Sequence, residues 1–402
     1  MPAHALARRI VAPIAAAGIA VTMIAASSAS ALDTIADPVS TATRPQLTTQ
    51  QAAELDPVDY LGDWRPRPAP LPRRIRDADY VVAPGSTEPT DSSGPTVYPT
   101  VQSAIDAVVA AGADRRSYIA VRPGVYREVV CVPSTAGPIT LYGTAPGPSG
   151  TVIVYDHANP TPKEAGTSAN PCNPNLAAIT YGTGGSATFA AAADDFQAQN
   201  LTFANDYVED TYVSGNQSAV ALAAAGDRQI YEHVRVLGNQ DTLLLNTRST
   251  AVTARQYLHD SFVQGDTDFI FGRGTAVFDQ VEVRYVSSRR TDGVILAPST
   301  AAANPFGFLF RHSRFSVDDP AVAGTVRLGR AWDESVGPLA NYVNGVSPNG
   351  QALIRESWLA GHLRTVDPWG SSTISRPFCA TDCTYSPNRF AEYRNVGPGR
   401  AD

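Results

Sequence analysis

Lysine is almost absent from this sequence of 402 residues, since Lys163 is the only one and the other 30 basic residues are arginines. Catalysis through a lysine amine would therefore depend on one side chain in a Pro-rich segment. No basic run is present and the formal net charge is −7, which argues against nucleic-acid binding. After the first 31 residues, no apolar segment is long enough to cross a membrane.

The first 31 residues have the three parts of a secretory signal peptide. Arg8 and Arg9 provide the positive start, residues 10–26 are apolar and small, and residues 29–31 form an Ala-Ser-Ala cleavage site. The alternative is a transmembrane anchor. The apolar run of 17 residues is rich in alanine and lies at the bottom of the spanning range. We therefore expect cleavage, a secreted extracellular protein and no stable membrane anchor.

Only four cysteines are present, and their even number in an exported chain predicts two disulfides. Three pairings of Cys131, Cys172, Cys379 and Cys383 are possible. The short spacing between Cys379 and Cys383 favours a local bridge, which would leave Cys131 to pair with Cys172. A zinc site is the competing interpretation. It is weaker, because the spacing is irregular and no pair of histidines at ligand spacing accompanies it.

The chain divides into a poorly periodic start and a regular remainder. Residues 32–77 are polar and Pro-rich, and we interpret them as a linker followed by an N-terminal arm. Residues 78–402 are predicted to form the catalytic domain. Within it, residues 80–82 and 118–121 have the composition of strands, and residues 101–110 have the spacing of a helix that ends near Gly112.

Short β-branched and aromatic segments with a loose repeat fill most of the remaining chain. Their starts are 33, 27, 20, 32 and 44 residues apart, and such periods indicate a solenoid. The six segments are 200–203, 233–236, 260–263, 280–283, 312–315 and 356–359. Helices are scarce, and most units are too short for a propeller blade of four strands. The pattern predicts an all-β, right-handed parallel β-helix, a single solenoid with an N-terminal capping helix and inserted loops.

In a β-helix, residues that are one coil apart in sequence lie above one another. Gln217, Asp241 and Asp268 are separated by 24 and 27 residues, each about one coil, and Gln240 adjoins Asp241. Neighbouring coils stack at about 4.8 Å. The predicted fold would therefore gather two amides and two carboxylates into one patch.

Five segments carry a family resemblance when they are taken in order. They are residues 124–128, 217–222, 240–244, 268–272 and 328–332. Together they resemble the pectin methylesterase family of carbohydrate esterases, and the likeness extends from about residue 78 to 395. The segments 44–47, 376–378 and 392–395 are similar to the bacterial branch with an N-terminal extension. One departure is Ala331, which occupies a position where the family usually has proline.

The resemblance implies a role for each polar residue of the patch. Asp268 would be the nucleophile that attacks a methyl ester of galacturonate, and Asp241 would serve as general acid and then general base. Gln217 and Gln240 would donate hydrogen bonds to the oxyanion. Arg330 would keep Asp268 ionised and oriented. These roles describe a secreted pectinesterase that releases methanol and pectate.

Substrate binding is expected to involve the flat faces of Trp332 and Phe271 against sugar rings. Arg289 follows a strand beyond Asp268 and is expected to reach a substrate carboxylate. The implied mechanism needs no metal and no organic cofactor, and the expected partner is methylated homogalacturonan. Base rates favour a monomer.

Other interpretations of the same residues remain open. Taken alone, Asp241 could be a turn residue, and Asp268 could be a structural ion-pair partner of Arg330. The two glutamines could form an amide ladder between coils. A pectate lyase or polygalacturonase would share the fold, but the hydrolases need a Gly-His-Gly element that this sequence lacks. An acyl thioesterase or another ester hydrolase would use the same site. A wall-binding β-helix without catalysis would need neither carboxylate.

Overall fold

The computed structural model describes residues 39–85, 94–212 and 216–402. The signal peptide predicted for residues 1–31 lies outside these ranges. The described chain forms three parallel sheets that wind around one apolar core, so the predicted all-β parallel β-helix is confirmed.

The strands follow one another from sheet to sheet in each coil, and every strand pairs in parallel with strands of the neighbouring coils. In the described ranges, the first sheet consists of β1 Tyr80–Val82, β2 Thr96–Tyr98, β3 Ser117–Val121, β6 Ile139–Gly143, β9 Gln197–Gln199, β12 Gln229–Glu232, β15 Arg255–His259, β18 Thr275–Asp279, β21 Phe308–Arg311, β24 Gln351–Arg355 and β27 Arg389–Tyr393. The second sheet consists of β4 Gly124–Arg127, β7 Thr151–Tyr155, β10 Thr202–Asn205, β13 Arg235–Leu237, β16 Phe262–Gly265, β19 Glu282–Tyr285, β22 Arg314–Val317 and β25 Trp358–Leu359. The third sheet consists of β5 Val130–Val132, β8 Phe189–Ala191, β11 Leu222–Ala224, β14 Leu243–Leu245, β17 Thr267–Gly272, β20 Val294–Pro298, β23 Arg327–Arg330 and β26 Trp369–Gly370.

Helices are few and short in the part of the chain that the structure describes. The α-helices are α1 Thr49–Ala53, α2 Pro57–Leu61, α3 Val101–Ala111 and α4 Gly182–Gly185, and the 3₁₀ turns are Ile75–Asp77, Pro148–Gly150 and Leu339–Asn341. None of the described helices is long and apolar enough to span a bilayer. The longest, α3, is the predicted capping helix and contacts strands at the N-terminal end of the coils. Thr100 caps its start, and Gly112 ends it in the left-handed conformation.

The repeated segments found in the sequence mark the corners between the first and second sheets. Each begins with a residue in the left-handed region, with φ between 45° and 58°. The corner residues are Asn200, His233, Asp260, Gln280, His312 and Glu356. For a residue other than glycine this conformation costs about 1–2 kcal/mol. The repeat is visible in the sequence because every coil must bend at the same place.

The fourth residue of each repeat points into the core and stabilises the coil against that strain. These residues pair in unbroken register from coil to coil, and none has any exposed surface. The column consists of Phe203, Val236, Val263, Val283, Phe315 and Leu359. Burial of one such side chain contributes about 1.5–3 kcal/mol, which offsets the cost of the corner before it.

The segment with α1 and α2 covers the outer face of the first sheet. Tyr60 packs in one apolar cluster with Leu309 and Leu353, which point outward from β21 and β24. Arg44 fastens the start of this segment, since its guanidinium donates to both oxygens of Glu392 at 2.7 and 2.9 Å. Both side chains of this ion pair are buried, at 3% and 0% exposure.

Two disulfides join the four cysteines of the chain, as predicted. Cys131 pairs with Cys172 across 41 residues, and Cys379 pairs with Cys383 across four. The first bridge fastens the long segment between β7 and β8 to the outer face of the third sheet, because Cys131 belongs to β5.

We expect the two disulfides to differ in their contribution to stability. Replacing Cys131 and Cys172 by serine should lower the free energy of unfolding by about 4 kcal/mol, because this bridge closes a long loop in the unfolded chain. Replacing Cys379 and Cys383 should cost only about 2 kcal/mol. Urea unfolding of the two double variants tests this, and equal losses would contradict the loop-closure argument.

Candidate active site

The two aspartates singled out from the sequence lie on adjacent coils, where the chain passes from the second sheet into the third. Gln240 forms an isolated parallel bridge with Thr267, and the N–H of Asp241 donates to the carbonyl of Thr267 at 3.0 Å. In the next strands, Leu243 pairs with Ile270, which is the same offset of 27 residues that separates Asp241 from Asp268. The strand register therefore brings the two aspartates together. Both have left-handed backbones, with φ of 61° and 47°.

Asp268 is held by an arginine from two coils farther along. The guanidinium of Arg330 donates from Nε to Oδ1 at 3.0 Å and to Oδ2 at 3.2 Å, and from Nη2 to Oδ2 at 2.5 Å. Asp268 as a whole is 8% exposed. This fork restricts the carboxylate to one orientation. Ala331, at the position where the family usually has proline, is fully buried beside Arg330.

The electrostatic environments of the two carboxyls are unequal. Burial, reinforced by the negative charge of Asp268, raises the pKa of Asp241 well above its usual value. The hydroxyl of Ser218 and the charge of Arg330 oppose this rise. Burial also raises the pKa of Asp268, but its hydrogen bonds and charge interaction with Arg330 oppose that rise most strongly. The arrangement therefore favours a protonated Asp241 beside an ionised Asp268.

Each of the two glutamines directly precedes a residue that interacts within the pair's surroundings: Gln217 precedes Ser218, and Gln240 precedes Asp241. Gln217 is 1% exposed, and its Oε1 accepts hydrogen bonds from the hydroxyl of Tyr207 at 2.8 Å and the N–H of Asp210 at 3.0 Å. This orients its amide nitrogen as the donor. Gln240 is partly exposed, and its Nε2 donates to the side chain of Asn216 at 3.2 Å.

Gln217 does not follow the strand register that the equal spacing suggested. Leu222 pairs with Leu243, an offset of 21 residues, whereas Gln217 and Asp241 are 24 apart. Gln217 therefore lies in the turn before β11, which contacts the next coil through the hydrogen bond from the N–H of Ala219 to the carbonyl of Gln240. It does not belong to one column of paired residues with the two aspartates.

A column of apolar side chains extends along the outer face of the third sheet beside Asp268. Its members pair in register from coil to coil and are Cys131, Ala190, Ala223, Leu244, Phe271 and Ala297. Trp332 packs against Phe271 with ring centroids 5.5 Å apart and planes inclined at 57°. Trp332 is only partly buried, so this face offers an aromatic surface to a ligand.

Arg289 also lies near the pair, but its guanidinium contacts two carboxylates of the protein. It donates to Asp266 from Nε and Nη2, both at 2.8 Å, and it forms an ion pair with Glu209. Its predicted contact with a substrate carboxylate stays a prediction. Neither Asp266 nor Glu209 was singled out from the sequence. Asp266 lies in the turn before Asp268, and Glu209 lies in an irregular segment outside every motif.

Metal-binding geometry does not occur in the described ranges, where no three or more His, Cys, Asp or Glu side chains converge as ligands. Within the site the charged groups are carboxylates and arginines. Such a set can perform proton transfer and nucleophilic attack by oxygen.

Comparisons with known proteins agree with the fold. The family model described as Pectinesterase matches residues 89–336. A pectinesterase of Ralstonia nicotianae (strain ATCC BAA-1114 / GMI1000) is 47% identical over 374 residues, which cover 90% of this chain and 92% of that protein. The structure of rice weevil pectin methyl esterase superposes with a TM-score of 0.75 at 31% identity, covering 90% of this chain and 98% of that one. The putative acyl-CoA thioester hydrolase YbhC of Escherichia coli (strain K12) is 31% identical, covering 89% of each chain.

The fold and the paired carboxylates, together with these matches, define the chain as a carboxylic ester hydrolase built on a parallel β-helix. It belongs to the pectinesterase family, and the resemblance noted in the sequence is confirmed.

Proposed function

We propose that the protein is secreted and hydrolyses the methyl esters of galacturonate units in pectin, which gives pectate and methanol. The observation that carries this proposal is the difference between the two carboxyl groups. Arg330 donates hydrogen bonds to both oxygens of Asp268, and the pKa of the neighbouring Asp241 is raised. A nucleophile must be ionised and a general acid must be protonated, and this pair supplies both at once. The identity of the ester comes from the family.

In the first half of the reaction, a carboxylate oxygen of Asp268 attacks the carbonyl carbon of the methyl ester. The carbonyl oxygen becomes an oxyanion, and the amide nitrogens of Gln217 and Gln240 stabilise it by donating hydrogen bonds. The tetrahedral intermediate collapses as the bond to the methoxy oxygen breaks. Asp241 gives its proton to that oxygen, so methanol leaves and an acyl-enzyme anhydride remains.

In the second half, Asp241 is ionised and takes a proton from a water molecule as the water oxygen attacks the anhydride carbonyl. The bond between the galacturonate carbonyl carbon and the Asp268 oxygen breaks, which releases the free acid and regenerates the Asp268 carboxylate. Asp241 is then protonated for the next cycle. Because Arg330 stabilises the carboxylate of Asp268, it also makes Asp268 a better leaving group in this step.

The substrate is proposed to lie along the outer face of the third sheet. Phe271 of the apolar column is only 3% exposed, whereas Trp332, which packs against it, is partly exposed. Trp332 is therefore the aromatic face proposed to pack against a sugar ring. This aromatic face is the structural support for a carbohydrate substrate, and the polymeric nature of the substrate is inferred from the family.

The competing function is acyl thioester hydrolysis, which the name of the Escherichia coli relative suggests for that protein. A substrate panel separates the two. Wild-type protein is expected to release methanol from highly methylated pectin and to leave long-chain acyl-CoA uncleaved. Methanol and free thiol would be quantified in parallel, with fully de-esterified pectin as a blank. Thiol release without methanol release would overturn the pectinesterase proposal.

A further inference from the structure

Three charged side chains form a bridge immediately beside the catalytic turns. Arg289 lies between two carboxylates, with Nε and Nη2 each 2.8 Å from Asp266 and an ion pair with Glu209 on its other side. Asp266 is 1% exposed as a residue, and the side chains of Glu209 and Arg289 are 7% and 26% exposed. The bridge joins the segment after β10 to the segment after β19.

The Asp266 end of the bridge is attached to the turn that carries Asp268. Nη2 of Arg289 also donates to the hydroxyl of Thr267 at 3.3 Å. The N–H of Asp266 donates to the carbonyl of Asn239 at 3.1 Å, so the same residue is tied to the neighbouring turn. Arg289 therefore contacts the two residues that directly precede the proposed nucleophile.

The Glu209 end faces the other catalytic turn. The backbone N–H of Gln240 points toward the Glu209 carboxylate and lowers its pKa. Gln240 directly precedes Asp241 and is itself bridged to Thr267. Glu209 therefore faces the turn of Gln240, Arg289 contacts the turn of Asp268, and the ion pair between Glu209 and Arg289 connects the two turns.

The charges of the bridge do not balance, which argues against a purely stabilising role. Burial, followed by the negative charge of Asp266, raises the pKa of Glu209 to about 7 although Arg289 opposes the rise. Among the described residues, Oε1 of Glu209 is buried and has no hydrogen-bond partner. Buried ion pairs of this kind contribute little to stability, whereas perturbed carboxyl groups cluster at functional sites.

We propose that Glu209 and Arg289 are positioning residues for the esterase reaction and that they act as one unit. They hold the turn of Gln240 and the turn of Asp268 at the separation that attack and proton delivery need. This inference rests on the proposed function, because it assigns the two residues to that site. It replaces direct binding of a substrate carboxylate as the role of Arg289.

The test is steady-state methanol release by four variants. Glu209→Ala and Arg289→Ala are each expected to lower kcat by about 10- to 100-fold, because a displacement of about 1 Å in a catalytic group costs that much. KM should stay within about twofold, since positioning residues do not touch the substrate. The double variant should be no slower than the worse single variant, because the two residues form one unit. Glu209→Gln should recover most of kcat, because it keeps the size of the side chain and an acceptor oxygen.

A matched control exists on another corner of the coils. Arg228 also bridges two carboxylates, with Nη2 2.7 Å from Asp195 and Nη1 2.9 Å from Asp227, but it contacts no residue of the proposed site. Arg228→Ala should leave kcat unchanged. Thermal unfolding of every variant separates loss of fold from loss of positioning.

Two results would overturn the inference. A raised KM with unchanged kcat in Arg289→Ala would show that Arg289 binds substrate directly, and unchanged kcat in both Glu209→Ala and Arg289→Ala would show that the bridge is only structural. Failure of the wild type to release methanol is a different outcome, because it refutes the pectinesterase function. The same variants would then be compared on the ester that the wild type does hydrolyse.

Discussion

Asp268→Asn is expected to lower methanol release from methylated pectin by roughly 10⁴-fold or more, because an amide oxygen is a poor nucleophile and cannot form the acyl-enzyme. The substitution keeps the size of the side chain and leaves Arg330 a hydrogen-bond acceptor. Substrate binding should therefore survive. Equilibrium binding of a methylated oligogalacturonate to the variant and the wild type checks that point, and a methanol assay measures the loss.

Asp279→Asn is a matched control for this variant. Asp279 is also 8% exposed and accepts a hydrogen bond from an arginine, Arg311, at 3.1 Å, but it lies on β18 of the first sheet. It should retain wild-type activity. If Asp268→Asn kept even a tenth of the wild-type rate with unchanged structure, Asp268 would not be the nucleophile.

Asp241→Asn is the second substitution with a large expected effect, a loss of about 10²- to 10⁴-fold in kcat. In the wild type, activity should fall as the pH rises through the raised pKa of Asp241, because the general acid is then lost. The variant should lack this alkaline fall, since its amide does not titrate. The pH dependence of kcat for both proteins tests the assignment, and an unchanged alkaline limb in the variant would assign that limb to another group.

The same substitution should stabilise the fold at neutral pH. Because the folded-state pKa of Asp241 lies above its usual value, the fold disfavours the ionised form, and stability is lost as the pH rises through the raised pKa. Asparagine carries no charge and avoids this loss. Asp241→Asn should therefore have a higher Tm than the wild type at pH 7, and the difference should shrink toward pH 3. A lower Tm at pH 7 would contradict this direction.

Much of the coil architecture could be predicted from the sequence, because each coil leaves a local signature. A left-handed corner such as His233 is followed three residues later by a buried apolar residue such as Val236, and this pair recurs along the chain. The packing of α1 and α2 on the first sheet leaves no such signature. It depends on outward-facing residues such as Leu309 and Leu353, which look like any other apolar strand positions.

Some contacts of the site could likewise be predicted from the sequence, and others could not. Asp241 and Asp268 meet because their spacing equals one coil, which can be counted in the sequence. Glu209 and Arg289 meet because two irregular segments fold toward each other, and no periodicity predicts where such segments end. The 24-residue spacing of Gln217 agreed with the coil length but not with the strand register of 21. Spacing alone therefore did not predict the register of Gln217, and its role as an oxyanion donor stays a prediction.

The position of the site along the solenoid has a consequence for how the enzyme loses activity. Within the described third sheet, β14 and β17 are the fourth and fifth of eight strands, so the coils of Asp241 and Asp268 have neighbours on both sides. In a solenoid each unit is stabilised by its neighbours alone, and fraying begins at the ends. Amide hydrogens of the central coils should exchange last. Partial unfolding confined to the N-terminal coils should then leave the catalytic pair and Arg330 assembled. Unfolding from the C-terminal end should inactivate the enzyme earlier, because it reaches Arg330 on β23, the seventh strand, before it reaches the pair.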